Sequence, residues 1–240
     1  MTTVIFVGPT LPADEAAVML PRSIIRPPAG VGDILAIATQ KKPPKRIVLI
    51  DGYFEGMAAV WHKEILVALE RGIAVFGAAS MGAIRAAELA PFGMIGHGQI
   101  YKDFKSGVLT ADDEVAVAHL PPAQGYRVVS DAMVNLRYGL ALAQKQKIIP
   151  ATTASTLVGL AKLRFYRERT WARLLDDGAH LPKIDRLRAW LPTQKLDRKA
   201  LDAAALLEHL RRTPIAKPKK LQVPRTWALR QLMVIVSNRG

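Results

Sequence analysis

The chain of 240 residues has no cysteine, which excludes disulfides, thiolate metal sites and a cysteine nucleophile. No apolar run approaches the ~20 residues that cross a bilayer, so no membrane partner is expected. The opening MTTVIFVGPT lacks both the basic segment and the small-residue cleavage site of a leader, and reads as a first buried strand. A cytoplasmic protein is the resulting expectation. There is no Gly-x-x-x-x-Gly-Lys-Ser/Thr loop and no Gly-x-Gly-x-x-Gly turn, so neither ATP nor NAD is indicated as a cofactor. Zinc-finger spacing, RNP-type aromatic motifs and internal repeats are likewise missing.

Half of the residues are hydrophobic, enough for a sizeable core. The net charge of +14 is unevenly spread. Residues 1–161 carry 15 Lys and Arg against 13 Asp and Glu, whereas residues 162–240 carry 19 against 7. The surplus therefore belongs to the last third, where it favours acidic partners. An acidic protein or peptide fits better than nucleic acid, because the surplus lies outside the segments with site character.

The first ninety residues alternate apolar runs with helical patterns. TVIFVG, RSIIRPP, RIVLIDG and IAVFGA read as strands. Helices are expected over 13–20, from about Val31, and through AAVWHKEILVALERG, where Val60, Trp61, Ile65, Leu66 and Leu69 repeat with the helical period. Continuous apolar strands between amphipathic helices predict a parallel sheet covered on both faces, a Rossmann-like or flavodoxin-like three-layer α/β fold. Further on, helices are expected over 129–147, over 152–177, between Pro182 and Pro192, and from a cap at Asp197 to Thr213. A final strand or helix covers 225–236. The predicted division is an α/β core over 1–125 and a helical, basic C-terminal region over 126–240.

In such sheets ligands bind beyond the carboxyl ends of the strands. Those ends hold Gly8-Pro9-Thr10, Arg26 to Gly30, Asp51-Gly52 and Gly77 to Ser80. Ser80 has Ala78 two residues before it and Gly82 two after, a relaxed form of the Gly-x-Ser-x-Gly elbow. The amides of Met81 and Gly82 would then open a helix whose positive end stabilises an oxyanion. A helix cap is the plainer reading of the same serine.

A nucleophilic serine needs a base. Of the five histidines, His62 and His119 are the candidates, with Lys63 as a further option. His97, flanked by glycines, reads as part of a loop. Asp51 completes the candidate catalytic set of Ser80, His62, Lys63, His119 and Asp51. Thr10, Gly30, Asp33, Met81, Arg85 and Asp113 are the candidate substrate contacts, Gly30 because its turn could offer amides to an anion. The acidic run Asp112, Asp113, Glu114 reads as helix-terminal acids before it reads as a Mg²⁺ site, so no metal is expected.

Seven segments together resemble the TfuA-like core domain: GPTL (8–11), RPPAGVGDI (26–34), IDGYF (50–54), AVWHKEIL (59–66), VFGAASMGAIRAAEL (75–89), FGMIGHGQIY (92–101) and DDEVAVAH (112–119). The likeness spans about residues 3–120. It implies a partner of a YcaO enzyme in exchanging a backbone amide oxygen for sulfur in a ribosomal peptide or protein. The implied partners are the YcaO protein, a sulfur-carrier protein with a C-terminal thiocarboxylate, and the precursor peptide. The resemblance assigns ATP to the YcaO protein, with no cofactor here. Lacking cysteine, the chain cannot carry sulfur as a persulfide. It could release sulfide by attack of Ser80 on the thiocarboxylate carbon. The alternative is a non-catalytic adaptor or allosteric activator.

Overall fold

The computed structural model describes residues 2–54, 57–214, 218 and 221–238. They form two compact units, residues 1–110 with 200–240, and residues 111–199. The units divide differently from a cut at 125, because the last helices of the chain return to the first unit.

The first unit holds a parallel sheet of five strands: β1 (Thr3–Phe6), β2 (Ser23–Arg26), β3 (Arg46–Leu49), β4 (Ala74–Ala78) and β5 (Ile95–His97), in the order β2-β1-β3-β4-β5. Strand side chains alternate between faces. Val4, Phe6, Ile47, Leu49 and Val75 pack on one face against α2 (Asp33–Ala38), α3 (His62–Glu70), α4 (Met81–Leu89) and α11 (Trp227–Ser237). Ile5, Val48, Ile50, Ala74, Phe76 and Ala78 pack on the other against α1 (Ala13–Met19) and α10 (Arg198–Arg212). The three-layer α/β expectation is met. The fifth strand, β5, has only three residues, with Gly96 at its centre and Gly98 between it and α5 (Gln99–Ser106), and gives no hydrophobic run to read.

Both late helices are sequestered by side chains of the core. Arg46, buried at the start of β3, donates from Nη1 to the Leu210 carbonyl (3.1 Å) and from Nη2 to that of Thr213 (3.3 Å). It thereby satisfies carbonyls at the end of α10 that no helical amide can reach. Glu70 on α3 accepts from the Val223 amide (2.8 Å) and pairs with Arg225, just before α11. That Arg225 bond holds the Glu70 carboxyl below its usual range.

The second unit is helical. In it α6 (Met133–Lys145), α7 (Ala151–Leu163), α8 (Trp171–Asp177) and α9 (Ile184–Trp190) bury Leu136, Leu140, Leu157, Leu174, Ile184 and Leu187 in one core. The helix expected over 152–177 is broken after Leu163, where Arg164 turns extended and Arg169 is buried. Of the basic connector, residues 215–217 and 219–220 lie outside the described residues, and α11 resolves the strand-or-helix alternative at 225–236 as a helix.

Candidate functional site

The strand order reverses between β1 and β3, the point at which ligands enter sheets of this kind. Asp51 stands there, 2% exposed, just after β3. Its Oδ2 accepts from the amides of Gly8 (2.9 Å) and Thr10 (3.0 Å), and its Oδ1 from the Thr10 hydroxyl (2.6 Å). One buried carboxylate thus ties the loop after β1 to the end of β3. Every polar hydrogen of that Gly8–Thr10 cluster named here is committed to Asp51.

The turn at Gly30 is filled in the same way. Asp33 Oδ2 accepts from the Gly30 amide (2.7 Å), and the Val31 amide donates to the Ala58 carbonyl (2.9 Å). Glu64, fully buried on α3, accepts from Gly32 (2.8 Å), Leu35 (3.3 Å) and Trp61 (3.0 Å). Burial raises the Glu64 carboxyl above its ordinary range against the pull of those three amides. The amides expected to cradle an external anion are therefore satisfied by carboxylates of the chain itself. Sequence reasoning missed Glu64. Its signal was the spacing of a capping-box acid, three residues after the residue that opens α3.

Next to Asp51 in the sheet, β4 delivers Ser80. The Ser80 amide donates back to the Ala78 carbonyl (2.9 Å) and Ala79 has φ +66°. A bond from residue i to i+2 across a positive φ is the strained hand of γ-turn. Ser80 then opens α4: its carbonyl accepts from Ala83 (2.9 Å), yet its hydroxyl caps nothing. The cap reading of this serine does not describe its side chain. The elbow is compressed by two glycines. A Cβ on Gly77 would lie 2.1 Å from the Gly82 carbonyl oxygen, and one on Gly82 would lie 1.8 Å from that of Leu49. The Gly82 amide donates to the Ile50 carbonyl (3.1 Å), so it is spent on packing rather than offered to an oxyanion. Met81 packs its side chain against Gly52.

The other expected residues fall elsewhere. His62 Nε2 lies 2.8 Å from Glu88 Oε2 on the exposed side of α3, and Arg85 Nη1 donates to the same oxygen (2.8 Å). Arg85 also donates from Nε to the Val60 carbonyl (2.9 Å). Lys63 is half-buried on α3. His119 and Asp113 belong to the second unit. There His119 Nδ1 contacts the Leu120 carbonyl (2.9 Å) and its ring meets Tyr126 edge-on. Asp113 pairs with Lys162 and Arg169, and Glu114 with Arg137 and Lys162. Burial pushes both carboxyls up, but these cations hold them below their usual values. No group of three or more His, Asp or Glu that could hold a metal occurs among the described residues.

A family model described as TfuA-like protein matches residues 51–170. The chain belongs to the TfuA-like family. The match begins at Asp51 and includes the Ser80 elbow, and it runs through the second unit as far as Arg169 and Thr170. It therefore reaches about fifty residues beyond the segments that carry the likeness in the sequence. A search of curated proteins finds no match. Among the described residues, no helix of this TfuA-like protein is long and apolar enough to cross a membrane.

Proposed function

We propose that this TfuA-like protein works with a YcaO enzyme in backbone thioamidation of a ribosomal peptide or protein, by releasing sulfide from a thiocarboxylated sulfur-carrier protein. Ser80 attacks the thiocarboxylate carbon, the carbon–sulfur bond breaks, and water then hydrolyses the acyl-serine. Family membership supports the context. The observation that carries the chemistry is the Ser80 elbow itself, a strained γ-turn after β4 whose serine hydroxyl makes no cap bond. Backbone strain of this kind persists where surrounding packing enforces it, and it gathers at functional sites. Arg85 and Thr10 are committed to the chain's own groups, so substrate is held by other contacts around the strand ends. ATP is used by the YcaO partner, and this chain needs no cofactor of its own.

Sulfide release from a thiocarboxylated carrier protein by the purified chain tests this reading. Wild-type protein is expected to release sulfide without ATP, and Ser80→Ala to abolish release with an unchanged circular dichroism spectrum. Equal release by the two proteins would end the nucleophile assignment. The adaptor reading, in which the chain clamps the YcaO protein or the precursor peptide, is favoured by one observation. Among the described residues no side chain hydrogen-bonds the Ser80 hydroxyl. In that case Ser80→Ala leaves thioamidation intact, while charge reversal at Arg211 and Arg212 weakens the complex.

A further inference from the structure

The charge of the first unit is sorted along its strands. Beyond the carboxyl ends, Asp33, Asp51 and Glu64 accept from the chain's own amides. At the amino ends, exposed cations stand on the segments that lead from helices back into strands. Lys41 and Lys42 lie in the turn between α2 and β3, Lys45 directly precedes β3, and Arg71 follows α3. None of these four side chains has a hydrogen bond or ion pair among the described residues. The register brings their segments to one level of the sheet. Arg46 is the partner of Thr3 on β1 and of Ala74 on β4. The Lys45 amide donates to the Thr2 carbonyl (3.0 Å), and the Ala74 amide donates to the Lys45 carbonyl (3.1 Å).

The last third of the sequence brings further cations to the same edge. Arg46 binds the carbonyls of Leu210 and Thr213, so the end of α10 is fixed at the start of β3. Arg211 and Arg212, both exposed in that last turn, pair with Glu208. On the opposite face of the sheet, Glu70 at the end of α3 pairs with Arg225. Trp227, 77% exposed, opens α11 just after it. The band of cations thus crosses all three layers, from α10 through the strand starts to α3 and α11. These cations outnumber the two carboxylates they pair with, and the surplus attracts negative charge from a distance. Glu70 and Glu208 sit within the band and narrow the choice of partner. A protein surface can set a cation or an apolar group opposite them, whereas a phosphate backbone is negative at every unit. An exposed tryptophan beside arginine is also the composition of a protein interface.

We propose that the amino edge of the sheet docks an acidic protein surface, with Trp227 as its apolar anchor. A strand rises about 3.3 Å per residue, so roughly 13 Å of β4, from Ala74 to Ala78, separates this edge from the Ser80 elbow. A partner seated at the amino edge leaves Ser80 uncovered. Docking therefore goes beyond the hydrolytic reading and holds whether or not Ser80 is a nucleophile. The contact is made mainly by exposed charges, so it speeds encounter and weakens as salt rises.

The test is fluorescence anisotropy of the full chain with a labelled peptide of repeating Glu-Glu-Leu, beside a labelled thymidine oligonucleotide of equal charge. Wild-type protein is expected to bind the peptide more tightly than the oligonucleotide, with an affinity that falls as salt rises. Lys41→Glu, Lys42→Glu, Lys45→Glu and Arg71→Glu together should cut peptide affinity about tenfold or more and flatten the salt dependence. A control with Arg127→Glu, Lys145→Glu, Arg186→Glu and Lys195→Glu has the same net charge, but its changes lie at exposed positions of the second unit. It should keep most of the affinity. Trp227→Ala, a single exposed change that does not depend on the folding of the fourfold variant, should weaken peptide binding and leave the salt dependence as it is. Equal losses in the two charge variants would reduce the effect to net charge and overturn the proposal. Tighter binding of the oligonucleotide than of the peptide, or a wild-type chain that does not bind the peptide, would also overturn it.

Discussion

At the scale of single residues, Ala79 and Ser80 carry the functional argument. A left-handed backbone costs an L-residue roughly 1–2 kcal/mol, and Ala79 bears it with a fully buried side chain in the core cluster that also holds Ile50 and Phe76. Glycine there removes the strain but also a buried methyl worth about 0.8 kcal/mol. Ala79→Gly is therefore expected to leave stability unchanged or raise it by about 1 kcal/mol in urea unfolding. Sulfide release should fall, because the serine loses its enforced position. A variant that is less stable and fully active would contradict the strain account. Thr10 offers a cleaner structural control. Its hydroxyl donates to Asp51 at 2.6 Å, so Thr10→Val leaves a buried carboxylate oxygen short of a donor. The expected cost is about 1–3 kcal/mol, read as a lower unfolding midpoint.

At the scale of elements, buried carboxylates fasten the loops after the strands. Glu64 joins α3 to the start of α2 through the amides of Gly32 and Leu35, and closes on Trp61. Removing it in Glu64→Ala leaves three donors unpaired and should destabilise by about 3 kcal/mol, with slower or absent soluble expression as the extreme result. Stability equal to wild type would show that water replaces the carboxylate. Much of this layer was legible in the sequence: β1 to β4 and the helices between them follow from continuous apolar runs and the helical period. Less legible was β5, since Ile95–His97 is too short to show a period and its glycines suggest a loop. That one omission leaves His97 in an anonymous turn, whereas it ends a strand paired with β4. The occupancy of the Gly30 turn was also hidden, because Asp33 is local to it but Glu64 comes from 32 residues away. Spacing announces amides; it does not announce which distant acid fills them.

At the scale of the whole molecule, both units hold carboxyls that neighbouring cations keep below their usual range. In the second unit the folded-state pKa values of Asp113 and Glu114 lie below their ordinary values, held down by Lys162, Arg169 and Arg137. A depressed carboxyl contributes stability that is present above its unfolded value and lost as pH falls through the folded one. Loss of the second unit's helical amide protection is thus expected only below about pH 4. Arg137→Met removes one partner of Glu114 and should move that transition to higher pH, as followed by hydrogen exchange in α6 and α7. Asp131, raised by burial, acts in the opposite sense and is unchanged by the substitution. The basic last third does not behave as a separate tail, since α10 and α11 pack into the first unit through Leu206, Leu210, Leu229 and Leu232. The central claim, that Ser80 forms a bond to the acyl carbon of the sulfur donor, is tested most directly by acid-quenched mass spectrometry of the chain mixed with a thiocarboxylated carrier protein. The account predicts a carrier adduct on the peptide containing Ser80, absent in Ser80→Ala. Sulfide released at the wild-type rate by Ser80→Ala, with no adduct on either protein, would contradict it.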